Sequence, residues 1–263
     1  MNIDLAGKHA LVCGGSKGIG RAAAIELARL GADVTVLARS RATLQAVVDA
    51  LPKTYAAQSH SCIPADANDP AAYRAAIDGA VRMRPVQILI NNSGGPPGGP
   101  AHCAKVEEYI SAFRQHLASG QSALQAVLSG MRAANYGRVV NVISTSVKEP
   151  IENLGVSNTV RAAVAAWAKT CSRELAPFGI TVNNVLPGYT NTQRLTNLIA
   201  AKAESSGESE DVIAHKMLAA VPAGRFADAA EVAAVIAFLC TPAAAYVNGV
   251  SIAVDGGRTH ALS

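Results

Sequence analysis

"HALVCGGSKGIGRAAAIELARLGADVTVLARS", residues 9–40, decides the reading of the fold. It opens with a short apolar run, HALVC (9–13), that ends in glycines. RAAAIELARLG (21–31) has helical spacing with Gly31 as a stop, and DVTVLA (33–38) is a second strand. Strand, glycine turn, helix and strand make one βαβ unit, whose crossover is right-handed.

The same alternation runs outward to the end of the chain. RATLQAVVDAL (41–51) reads as a helix ended by Pro52, and a third strand falls within 56–66. Asp69-Pro70 starts a helix over 69–83, and VQILIN (86–91) is a fourth strand. A long helical tract covers 104–135, RVVNVIS (138–144) is a fifth strand, and 156–177 a helix. ITVNNVL (180–186), a helix at 228–240 and VSIAV (250–254) complete the series. The expected fold class is α/β: a single domain over 1–263 built on one doubly wound parallel sheet of Rossmann type, with helices on both faces. GGPPGGP (94–100) resembles a linker, but it comes directly after a strand and the alternation resumes beyond it, so it reads as a loop at the carboxyl edge of the sheet. Residues 190–226, with ESSGESED and few long apolar runs, break the rhythm and read as a mobile excursion over that edge, a candidate substrate lid.

Composition excludes several classes. Half of the 263 residues are hydrophobic, enough for a full core. The net charge of +4 comes from scattered basic residues, so nucleic acid is not an expected partner. Five separated cysteines without a CxxC pair fit a reducing compartment and form no metal site. The N-terminus has an early acid and no long apolar core, and no apolar stretch approaches a membrane span. A cytoplasmic protein without a membrane contact is expected.

The turn CGGSKGIG (13–20) spaces Gly14, Gly18 and Gly20 as GxxxGxG between strand and helix. Glycines let the backbone approach a diphosphate, and the helix N-terminus offers free N–H groups and partial positive charge. An NAD site carries Asp or Glu about 20 residues beyond the glycines to bind the ribose 2′-hydroxyl. This chain has Ala38-Arg39-Ser40 there instead, and Lys17 lies in the turn. Lys17 and Arg39 together suit a 2′-phosphate, at about 1.5–3 kcal/mol per charge-assisted bond. The expected cofactor is NADP(H).

With GGSKGIG (14–20), Asp66, NNSGG (91–95), GRVVNVIS (137–144), RELAPFGITVNNVLPG (173–188) and YVNGVSIAVDGG (246–257), the chain resembles the short-chain dehydrogenase/reductase family, near its β-ketoacyl-carrier-protein-reductase-like branch. The resemblance covers nearly the whole chain. It implies cofactor contacts from Gly14, Ser16, Lys17, Gly18, Ile19, Gly20, Arg39 and Ser40, and from Asp66 to the adenine amino group. It puts Asn92 and Gly94 along the adenosine ribose, and Pro187, Gly188, Thr190 and Thr192 along the nicotinamide and phosphates. It also implies a homotetramer or homodimer and a small carbonyl or alcohol substrate.

The family's chemistry needs a Ser, a Tyr four residues before a Lys, and an upstream Asn. Ser144 holds the serine position, but Ser157 stands for the Tyr, Arg161 for the Lys and His116 for the Asn; Cys13 replaces the usual Thr before the first glycine. A Tyr of pKa about 10 is brought down by a neighbouring ammonium and can supply a proton. Serine is far less acidic and shorter, and a guanidinium does not deprotonate, although Arg161 can still bond a ribose and supply charge. Losing a placed acid costs about 10²–10⁴-fold, while orientation alone is worth roughly 10⁵–10⁸ M, so a slow or altered reductase is physically reasonable.

Three residues offer a substitute acid. His116 titrates in the right range but flanks Phe113 and Leu117, so it also reads as a hydrogen-bonded histidine at the core edge. Lys148 lies in a loop past Ser144, and Tyr189 stands beside the expected nicotinamide. Ser144 would polarise the substrate oxygen, with local backbone bonding as its alternative. The expected function is an NADP(H)-dependent oxidoreductase acting on a carbonyl/alcohol pair. The alternatives are an NADP(H)-binding sensor or assembly protein without turnover, and a non-redox enzyme that keeps the cofactor as scaffold.

Overall fold

A computed structural model describes residues 1–262. Seven parallel strands form one sheet: β1 (His9–Cys13), β2 (Asp33–Ala38), β3 (Ser61–Pro64), β4 (Ile88–Asn91), β5 (Gly137–Val142), β6 (Ile180–Pro187) and β7 (Ser251–Val254). Their order is β3-β2-β1-β4-β5-β6-β7. The order reverses between β1 and β4, and ligands of open α/β sheets bind in the crevice at that reversal.

Both faces of the sheet are covered, because side chains alternate along each strand. Ala10 and Val12 of β1 join one core, shared with helices α1 (Gly18–Arg29), α2 (Arg41–Ala50) and the late helix Ala229–Leu239. Leu11 and Cys13 point into the other, against α3 (Pro70–Met83), Ser119–Ala133 and Gly155–Leu175. The near-continuous apolar strands of the sequence are therefore buried on both sides, as a parallel sheet demands.

The helix expected over 104–135 is broken into α4 (Val106–Phe113), a π-helical turn (Arg114–Ala118) and α5 (Ser119–Ala133). A π turn inserts one residue into the helical repeat and rotates the rest of the helix, so apolar spacing alone does not reveal it. The α6 helix (Gly155–Leu175) is as expected.

The 190–226 segment departs more. It folds as α7 (Gln193–Ser206) and α8 (Glu210–Ala219), before α9 (Ala229–Leu239). Leu195, Ala203, Ile213 and Met217 close a small core with Tyr189, Leu198, Ile199 and Phe226. The polar run that reads as irregular is the end of α7 and the turn at Gly207, which ends the helix in the left-handed conformation (φ 72°).

A row of amides crosses the sheet. Asn91 Nδ2 donates to Asn141 Oδ1 (2.9 Å), Asn141 Nδ2 to Asn184 Oδ1 (2.9 Å), and Asn184 Nδ2 to Ser251 Oγ (3.0 Å). These residues are direct partners in the strand register, so β4 to β7 are tied together just below the crevice.

Candidate active site

The glycine turn after β1 is shaped by close backbone approach. Gly14 has φ 62°, and a Cβ on it would stand 2.5 Å from Asn92 O. Asn92 Nδ2 donates to Gly14 O at 3.2 Å, which pins the loop after β4 to the turn after β1. Lys17 precedes α1 and caps it with no side-chain bond, so the first N–H groups of α1 are free to face an anion. Gly20 is buried against Gly14 and Asn92 and serves the packing of the turn.

From that turn a cleft of about 750 Å³ runs along the carboxyl ends of the strands. Gly14, Ser16, Lys17, Gly18, Ile19, Arg39 and Asp66 line one end, and Asn92, Gly94, Pro187, Gly188, Thr190 and Thr192 its middle. Ser144, Ser157, Arg161 and His116 line the other end. Of the residues expected to touch cofactor, Gly20 and Ser40 are not in the lining. Ser40 instead caps α2, its Oγ accepting from Thr43 N (3.4 Å); a serine before a helix serves that role commonly.

Lys17 and Arg39 are exposed at the cleft rim and no carboxylate pairs with either among the described residues. Asp66 Oδ1 accepts from Asn68 N (3.0 Å) and Asn68 Nδ2 (3.1 Å). Cys13 is buried with Tyr73 Oη donating to its Sγ (3.2 Å), and burial pushes the thiol up to about 11, so it is an inert wall. Thr192 packs over Gly18, and Gly188 is fixed by its neighbour: a Cβ there would lie 2.6 Å from Asp255 Cα.

At the other end, Ser157 and Arg161 bond each other. Arg161 Nε donates to Ser157 Oγ (3.1 Å), and its Nη1 donates to Ile143 O (2.8 Å) and Val142 O (3.3 Å). Both side chains are buried. Burial and the nearby Arg194 bring the Arg161 guanidinium down to about 10, so it stays charged at neutral pH. Because the Ser157 oxygen accepts from a cation, its own O–H is a stronger donor toward the cleft.

The Ser144 Oγ accepts from Ser146 N (3.1 Å) and caps a short 3₁₀ turn, Thr145–Val147. The local backbone bond is thus present, and the hydroxyl still lines the cleft.

His116 sits in the π turn, buried, with Nδ1 sharing a 2.8 Å hydrogen bond with Ser93 Oγ. Its Nε2 is buried without a hydrogen-bond partner among the described residues. Burial first, then the positive charges of Arg161 and Arg194, lower it to about 3. The imidazole is neutral at physiological pH, so it holds no imidazolium proton to give. Lys148 is not in the cleft lining. Tyr189 lines the cleft, but its ring is held edge-on by Phe226 (6.0 Å) and under Arg258 (4.6 Å).

Ser93, Arg194 and Arg258 are site residues that sequence reasoning does not single out. Ser93 lies inside NNSG, which the family resemblance places along the adenosine ribose rather than beside His116. Arg194 stands two residues past Thr192, and Arg258 just past the final DGG; both are visible as cations but not as cleft residues.

Known proteins share this sequence pattern and fold. The family model for short chain dehydrogenase matches residues 8–203. The 3-oxoacyl-[acyl-carrier-protein] reductase FabG of Vibrio cholerae is 34% identical over 258 residues, 97% of this chain and 98% of that protein. The structure of L-sorbose reductase from Gluconobacter frateurii, complexed with NADPH and L-sorbose, superposes with a TM-score of 0.92 at 26% identity, covering all of both chains. YwfH, an NADPH-dependent reductase involved in bacilysin biosynthesis, superposes with a TM-score of 0.90 at 26% identity over 97% of this chain and 99% of that one. With the glycine turn, the sheet order and this match in hand, the chain belongs to the short-chain dehydrogenase family.

Proposed function

We propose that the chain is an NADP(H)-dependent oxidoreductase acting on a carbonyl/alcohol pair, in the manner of 3-oxoacyl-carrier-protein-reductase-like short-chain dehydrogenases (EC 1.1.1.-). One observation carries the reading: the bare glycine cradle, flanked by Lys17 and Arg39 with no acid at the end of β2, opens into the same cleft as Ser144, Ser157 and Arg161.

The residues present fit the cofactor. The cradle would be filled by a Cβ at Gly14, and the uncapped start of α1 suits a diphosphate. Lys17 and Arg39 would hold the 2′-phosphate, Asp66 the adenine, and Arg161 the nicotinamide ribose. Bound NADPH supplies a hydride to a carbonyl carbon, whose oxygen then takes a proton. Ser144 and Ser157 donate hydrogen bonds to that oxygen, and the Arg161 charge stabilises it as negative charge develops. His116, neutral and tied to Ser93, orients the wall of the cleft. The proton then comes from water rather than from a tyrosine, at the rate loss expected when a placed acid is missing.

The 190–226 segment acts as the lid, since Arg194 of α7 donates to Pro96 O (2.9 Å) of the loop after β4 and so closes across the cleft. Self-association as a dimer or tetramer is supported by Val106, Ile110 and Phe113, an exposed apolar stripe along α4.

A second reading has its own support. Ser157 and Arg161 satisfy each other and the β5 carbonyls without any substrate, which suits a nucleotide-binding protein that does not turn over. Calorimetric titration with NADPH, paired with NADPH absorbance across ketones, aldehydes and acyl thioesters, separates the two. Oxidation of NADPH with any carbonyl supports the reductase; tight binding with no oxidation across the panel favours the sensor.

A further inference from the structure

Two guanidinium groups converge on one point of the cleft wall. A Cβ on Gly95 would stand 3.1 Å from Arg194 Nη2 and 3.3 Å from Arg161 Nη2. Arg161 comes from α6 beneath the cleft, and Arg194 from the first turn of α7 above it. Neither has a carboxylate within 4.0 Å among the described residues. The hydrogen bonds they do make are to carbonyls and to Ser157, none of which neutralises charge. Arg161 Nη2 makes no hydrogen bond among the described residues.

Two like charges, one of them buried, are unfavourable side by side unless an anion joins them. Burial and the Arg194 charge lower Arg161, whereas Arg194 is exposed to solvent on one side and only partly desolvated. The start of α7 adds to the field: Thr192 caps it with no side-chain bond, leaving N–H groups and the positive end of the helix dipole beside Arg194. Among the described acids, Asp66 lines the far, adenine-side end of the cleft and no other carboxylate side chain lines it. A third cation, Arg258, borders the same space; Asp255 lies near enough to balance it in part.

Resting on the oxidoreductase reading above, we propose that the substrate is an oxo acid, a carbonyl compound whose own carboxylate is held by Arg194, with the charge of Arg161 beside it. The cofactor's diphosphate is the competing source of negative charge. It has a separate cradle at the Gly14–Gly20 turn, whereas this pair converges on Gly95, beside Ser93 and His116 at the substrate end. Guanidinium forks match a carboxylate's two oxygens, and an anion seated there also relieves the repulsion between the pair.

The test compares acids with their neutral esters at three spacings between carbonyl and carboxyl: 2-oxobutyrate, acetoacetate and 4-oxopentanoate against their methyl esters. NADPH oxidation is monitored for wild type, Arg194→Gln and Arg194→Lys. The expected result is that at least one acid exceeds its ester in kcat/KM by about 10–100-fold, the range of one to two charge-assisted contacts. That ratio falls toward unity in Arg194→Gln and is partly restored in Arg194→Lys. Equal turnover of acids and esters in wild type overturns the proposal. So does an unchanged ratio in Arg194→Gln accompanied by a comparable rise in the NADPH dissociation constant, which assigns the pair to the diphosphate.

Calorimetry of the NADP⁺-loaded protein with malonate and succinate, against their dimethyl esters, gives a readout without turnover. Binding of the diacids alone, weakened in Arg194→Gln, supports the anion site even if no carbonyl is reduced, in which case only the oxidoreductase reading fails. Absence of diacid binding together with absence of acid preference overturns the site itself.

Discussion

Burial holds the His116 imidazole neutral, and that has consequences for both activity and stability. With its value lowered to about 3, His116 does not change charge across the range where enzymes are assayed. The kcat/KM profile is therefore expected to lack an inflection from this histidine between pH 5 and 8, and His116→Asn is expected to leave the profile's shape unaltered. The stability effect has a definite sign. Below the unfolded-chain value of about 6.5 the unfolded state takes a proton that the folded site refuses, so stability falls as the pH drops toward 3. The slope from this one group reaches about 1.4 kcal/mol per pH unit. Urea denaturation from pH 7 to 4 should show a shallower decline for His116→Asn than for wild type; equal slopes would show that the histidine titrates normally. At the same scale, His116, Ser157 and Arg161 are singled out in the sequence because a frame of motifs surrounds them. Their partners are not: no spacing shows that Ser93 meets His116, or that Arg161 is bonded to Ser157, Val142 and Ile143.

The amide row ties four strands by side chains that have no apolar alternative partner. Replacing its centre, Asn141→Val, orphans the Asn91 donor and the Asn184 acceptor inside the sheet. The expected loss is about 2–6 kcal/mol, from two unsatisfied groups at roughly 1–3 kcal/mol each. Chemical denaturation measures it, and a loss below about 0.5 kcal/mol would mean that water takes over both bonds. The pair α7 and α8 stands on a smaller core of its own. Leu195→Ala is expected to raise amide exchange within 193–219 far more than in the central strands, because that core opens without the sheet. Uniform exchange changes would contradict an independent α7/α8 unit. These helices read as irregular from sequence. Their apolar residues at 195, 198, 199, 203, 213 and 217 do have helical spacing, but they are interleaved with a serine- and glutamate-rich turn that dilutes the pattern. Strands β1, β2, β5 and β6 are legible because a strand buried on both faces is a largely apolar run, bounded here by glycines and helices.

For the whole molecule, fold and cofactor end of the cleft are readable because both depend on backbone: a turn that tolerates only glycine, and a strand order that right-handed crossovers nearly dictate. The substrate end depends on where long side chains from distant segments meet, and Arg194 reaching Gly95 and Pro96 is such a meeting. Assembly lies at this scale too. Val106, Ile110 and Phe113 leave an apolar stripe along α4, so light scattering coupled to size exclusion is expected to give a mass of two or four chains. Ile110→Arg is expected to lower it, whereas a monomeric wild type would remove the stripe's role. The central claim is that the cleft grips a dinucleotide bearing a 2′-phosphate. Calorimetric titration of the protein with NADPH and with NADH measures it directly, in wild type and in Lys17→Ala/Arg39→Ala. The account expects NADPH to bind at least about 10-fold tighter than NADH, with the difference lost in the double variant. Absence of heat with either coenzyme, or equal affinity for both in wild type, would contradict it.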